Sequence, residues 1–82
     1  MATIRISETT CSPLHLAGDS LHIIDGSHRD IPINIIAGDN ARIILIDVRG
    51  TITVGVNSIV VRHNHMCDVS PTALLCLCGK CT

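Results

Sequence analysis

Not one phenylalanine, tyrosine or tryptophan occurs in 82 residues, whereas Ile, Leu and Val supply 26, half of them Ile. A core without rings must be filled by branched aliphatics of short reach. Its interior is therefore narrow, which suits slim sheets and solenoids better than helices laid on a sheet. A chain of this length holds one domain, and cores this small draw on a metal, disulfides or partner subunits for support.

Period-two alternation runs through the chain. Ile4 and Ile6, then Ile31, Ile33 and Ile35, then Ile52, Val54 and Val56, then Ile59 and Val61 each place apolar groups on one face of a strand. Helical periodicity is nearly absent. The one candidate is a short turn over residues 72–77, with Ser70 as cap and Pro71 in the first position. Turn residues separate the strands: Gly18-Asp19, Asp25-Gly26, Gly38-Asp39-Asn40, Arg49-Gly50 and Asn57-Ser58.

Residues 16–24 align with residues 36–44 through a shared Ala-Gly-Asp, and residues 53–61 follow more loosely. The aligned glycines Gly18, Gly38 and Gly55 are 20 and then 17 residues apart. That spacing fits successive coils of a β-solenoid or an intertwined β-helix, in which each unit buries its face on the next. A compact barrel or sandwich is the competing architecture, because any meander also repeats strand, glycine turn, strand. The expectation is an all-β, short-stranded solenoid or β-helix-like module over residues 1–66, followed by an irregular Cys-rich segment over residues 67–82. Coils stacked in this way leave open strand edges at both ends, which invite pairing with another chain. A homotrimer, with aliphatic groups from three chains filling a thin axis, is the expected assembly.

Six basic and seven acidic residues are scattered singly, so no surface of one sign is indicated for nucleic acid or an anionic membrane. The missing aromatic side chains also remove the stacking platforms of single-strand binders. The longest apolar run, residues 73–78, is far short of the roughly 20 needed to span a bilayer. Met1-Ala2-Thr3-Ile4-Arg5 has no secretory pattern, and synthesis in a reducing cytoplasm is the expectation. Phosphate loops, paired-carboxylate signatures and nucleophile elbows are missing, and five Cys with five His make chance proximity a poor sign of catalysis. The chain reads as a non-enzyme.

Chemistry concentrates at the C-terminal end. Along a strand from Ile59, the odd positions run Ile59, Val61, His63, His65, Cys67, so an inward aliphatic row would continue as an imidazole and thiol row. Cys76, Cys78 and Cys81 follow, the last two spaced to chelate a soft ion. Two metal schemes arise. A tetrahedral zinc site would draw on four of His63, His65, Cys67, Cys76, Cys78 and Cys81. Alternatively, His63 and His65 of three symmetry-related chains would give six nitrogens to an iron-like centre. A disulfide network and plain packing of buried thiols and satisfied histidines are the competing readings. Cys11 stands alone, and His15, His22 and His28 read as surface or edge groups.

The glycine-punctuated Ile/Val strands ending in His63-Asn64-His65 resemble the β-helical spike tips of contractile phage tails. The resemblance covers residues 31–65 and implies a trimeric prism in which a His-x-His pair holds iron near the tip. The Cys-rich segment after Met66 departs from that pattern. A capsid decoration protein is similar in size and β content. Together these readings point to a non-catalytic structural protein of a virion or phage-like particle, partnered by other virion proteins. Zinc or iron at its C-terminal end would stabilise it. An intracellular metal or iron-sulfur handling module, with Cys76, Cys78 and Cys81 as transfer ligands, is the alternative.

Overall fold

The computed structural model describes residues 2–63, 67–70 and 73–78, with the backbone alone at Ala2 and over Leu75–Cys78. They form nine strands: β1 (Ala2–Ser7), β2 (Leu14–Leu16), β3 (Leu21–His28), β4 (Ile33–Ala37), β5 (Arg42–Ile46), β6 (Gly50–Thr53), β7 (Ile59–His63), β8 (Cys67–Val69) and β9 (Leu75–Cys78). Odd strands make one sheet, in the order β1-β3-β5-β7-β9, and even strands make the other, β2-β4-β6-β8. Every pairing is parallel. Each coil thus lays one strand in each sheet and climbs to the next, which is a β-solenoid. No helix occurs among the described residues, and none there is long and apolar enough to cross a membrane.

From Ile4 to Ile24, Leu45, Arg62 and Cys78, all in register, the chain advances 20, 21, 17 and 16 residues. The longer early coils carry their extra residues in the corners. The shorter later ones keep the strands.

Parallel in-register stacking puts like positions on one another, so a single inward position recurs as a ladder. Ile24 and Leu45 form one such ladder, Ile43 and Val60 a second, Ile35 and Ile52 a third. Each of these six is 1% exposed or less. With Ile6, Ile33, Val48 and Cys67 they make one core in which the two sheets meet. Fully burying an aliphatic side chain of this size is worth about 1.5–3 kcal/mol. A thin interior filled by ladders of Ile and Val needs no ring.

The corners explain the glycine repeat. Gly18, Gly38 and Gly55 lie on one another: the Gly55 amide donates to the Gly38 carbonyl at 3.2 Å, and the Gly38 amide to the Leu16 carbonyl at 3.2 Å. A Cβ on Gly38 would fall 2.8 Å from the Gly18 nitrogen, and one on Gly55 2.6 Å from the Asp39 nitrogen. Close backbone approach, coil on coil, therefore selects glycine here. Asp19, Asn40 and Asn57 follow at the same corner with φ of 55°, 54° and 59°, the left-handed region that Asn and Asp tolerate best among side-chain-bearing residues. Ser58 is fully buried beside them, and its hydroxyl accepts from the Ala41 amide and donates to the Gly38 carbonyl.

A buried arginine ties the opposite corner together. Arg29 Nη1 donates to the carbonyls of Ser7 (2.7 Å) and Thr10 (2.8 Å), and Nε to that of Ile31 (2.7 Å). One cation thereby ties together carbonyls of two successive coils.

Three expectations are corrected. The row Ile59, Val61, His63 is not the buried one: Val60 and Ser58 are fully buried, Ile59 and Val61 half-exposed, and His63 exposed. With three consecutive aliphatics, Ile59-Val60-Val61, alternation alone does not set the phase; the pairing of Val60 with Ile43 does. Ile31 and Val56 also leave their expected rows, at 53% and 55% exposure, because the chain has already turned the corner there. Finally, the turn expected over residues 72–77 is strand where it is described, since Leu75–Cys78 pairs with β7.

Candidate functional site: the outer sheet face and the C-terminal histidine and cysteine residues

The six candidate metal ligands fall in different places. His63 ends β7, exposed, its carbonyl accepting from the Asp47 amide at 3.0 Å. Cys67 opens β8 in the four-stranded sheet with its side chain fully buried, in register with Gly50 of β6 in that same sheet. Imidazole and thiol thus lie on the outside and the inside of one coil and do not converge. Cys76 and Cys78 belong to β9, in register with Val60 and Arg62. His65 and Cys81 lie outside the described residues. Among the described residues no group of three or more His, Cys, Asp or Glu is placed to hold a metal ion. Cys11 is an exposed free cysteine in the β1–β2 loop. His15 and His28 are exposed as expected, while His22 is half-buried and in register with Ile43, its Nε2 2.9 Å from the Ala17 carbonyl.

Sequence reasoning passed over Arg62. It occupies the inward ladder above Ile24 and Leu45, where an aliphatic side chain would continue the core. Its Nη1 donates to the Cys67 carbonyl at 2.7 Å, and its Nε is buried without a hydrogen-bond partner among the described residues. A guanidinium with one idle buried donor loses hydration there without full compensation. Among the described side chains, the aliphatic members of this ladder end at Leu45.

The two outer faces differ more than any local cluster. Outside the four-stranded sheet, Asn34, Thr51 and Asp68 form one ladder and His15, Ile36 and Thr53 another; all six are exposed. Thr51 Oγ1 donates to Asn34 Oδ1 across the rungs. That face is dressed for water. Outside the five-stranded sheet, Ile23, Ile44 and Val61 stack as a central row, with Thr3 at its start. One flanking row runs Leu21, Arg42, Ile59 and the other Arg5, Asp25, Ile46, His63. The aliphatic members other than Leu21 are only half-exposed, each shielded by its neighbours in the ladder, yet nothing among the described residues covers them.

Charge sits only in the flanking rows. Asp25 Oδ1 accepts from the Ser27 hydroxyl (2.6 Å) and amide (3.0 Å), and Arg5 Nε lies 3.9 Å from Oδ2. The Ser27 hydroxyl first, then its amide, hold the Asp25 carboxyl below the usual carboxylate range, with smaller help from His28 and Arg5. The sequence does carry a signal for this face: Ile23-Ile24, Ile43-Ile44-Leu45-Ile46 and Ile59-Val60-Val61 are continuous aliphatic runs, the mark of parallel strands apolar on both sides. Comparison with protein-family models, with curated proteins and with solved structures gives no match.

Proposed function

We propose that this chain is a non-catalytic structural protein that works by assembling with copies of itself. The observation that carries this is the uncovered aliphatic face of the five-stranded sheet, opposite a face that is polar in the ordinary way. A contiguous apolar patch on a small domain marks an interaction surface, and parallel sheets are normally covered on both sides. A trimer is the assembly that the reading favours. The setting is a virion or phage-like particle, as a tail spike tip or a capsid decoration protein, with other virion proteins as further partners.

Zinc or iron belongs to the proposal through His63, His65, Cys67, Cys76, Cys78 and Cys81. Because His63 and Cys67 sit on opposite sides of the coil, a shared intrachain site would use one of them at most. Sedimentation equilibrium and elemental analysis of one preparation test both parts. The expected results are a particle of three 8.7 kDa chains and a stoichiometric metal that resists chelator while the fold holds. A metal-free monomer would overturn the reading.

A further inference from the structure

The outer rows say how copies would meet. We infer that the outer face of the five-stranded sheet is the contact between copies of this chain, that their solenoid axes run parallel, and that Arg42 of one copy lies against Asp25 of the next. This rests on the self-assembly reading above.

The occupant follows from the face itself. Five residues, Leu21 to Asp25, span the face across a strand, about 16 Å at 3.3 Å per residue, and five strands at about 4.8 Å give about 24 Å along the axis. The resulting plan area is about 400 Å². Three faces 16 Å wide, closed into a triangular prism, set each sheet about 5 Å from the common axis. That is half of the about 10 Å at which stacked sheets pack. Side chains of Ile and Val size then fill the prism without a ring.

Charge selects the orientation. The central row, Ile23, Ile44 and Val61, carries none, as a row at an axis must. Rotation about an axis parallel to the solenoid brings the row of Leu21, Arg42 and Ile59 of one copy against the row of Arg5, Asp25, Ile46 and His63 of its neighbour. Arg42 belongs to the coil above Asp25, one strand spacing away, well within the reach of an arginine. Turning one copy upside down would instead bring like rows together, Arg42 against Arg42. Opposite charges at the rim favour the parallel arrangement and suppress the inverted one.

The test compares wild type, Ile44→Lys, Arg42→Glu, Asp25→Lys and the Arg42→Glu/Asp25→Lys pair by sedimentation equilibrium, with far-UV circular dichroism as the check on folding. Ile44→Lys should be monomeric. Each single charge reversal should weaken association about tenfold, and the exchanged pair should return to within about threefold of wild type, as coupled charges do. Arg42 is exposed, so Arg42→Glu alone decides the matter if Ile44→Lys or the Asp25→Lys variants do not fold: a folded Arg42→Glu that associates as tightly as wild type would overturn the interface. Wild-type assembly that survives Ile44→Lys with unchanged dichroism, or a pair no tighter than its singles, would overturn this interface and leave self-assembly standing. A wild type that stays monomeric would overturn both.

Discussion

Ile44 and Val61 are Cα partners in adjacent parallel strands, and both stand half-exposed outside the five-stranded sheet while their neighbours Ile43 and Val60 are buried inside it. One step along the strand separates the core of the monomer from the surface assigned here to its partners. The stability of the fold and the assembly of the particle should therefore respond to different residues.

Val60 and Val61 make that separation measurable. Val60→Asp places an unpaired carboxylate in the core and is expected to abolish cooperative unfolding. Val61→Asp should keep the dichroism of the wild type and lose self-association. Equal unfolding by both would mean that the strand is not held in the observed phase.

The glycine corner gives a second contrast. Gly55→Ala forces a Cβ against Asp39 and should cost about 1–3 kcal/mol. Asn57→Gly, two residues on, relaxes a left-handed backbone and should lie within about 1 kcal/mol of wild type. Urea midpoints read both.

Much of this was legible in the sequence. The absence of rings, the alternation and the 20 and 17 residue spacing of Gly18, Gly38 and Gly55 lead to stacked coils, and the glycines do stack. The phase of β7 was hidden, because Ile59, Val60 and Val61 satisfy either face equally and only pairing with β5 decides. Strand β9 stands where the sequence suggests a turn of helix, since a run of Leu and Cys four residues long has no period of its own. Arg62 escaped notice for a related reason: position in a ladder, which is a property of the stack, makes it inward.

Arg62 supplies a third prediction. Arg62→Leu removes the buried Nε, which has no partner among the described residues, and continues the ladder of Ile24 and Leu45, so it should be neutral or stabilising by about 1 kcal/mol. Arg62→Ala loses the bond to the Cys67 carbonyl and leaves a void, and should destabilise by about 1–2 kcal/mol. A large loss from Arg62→Leu would show that the guanidinium has a charged partner.

Acid should act through Asp25. Its folded carboxyl is held below the usual range by Ser27, and more weakly by His28 and Arg5. A depressed value means that the carboxylate's contribution is whole above the unfolded carboxylate range and is lost as pH falls through that range and through the folded value. In wild type, stability and association should both decline in that window. Asp25→Asn should flatten the decline, and a difference of slope between the two proteins in pH-dependent urea melts would show it.

The proposed assembly stands on the aliphatic outer face of the five-stranded sheet, which would join copies of this chain. Sedimentation equilibrium of Ile44→Lys beside wild type tests it most directly. Wild type should sediment as a trimer and the variant as a folded monomer; a folded variant with the mass of the wild-type assembly would remove that role from the face.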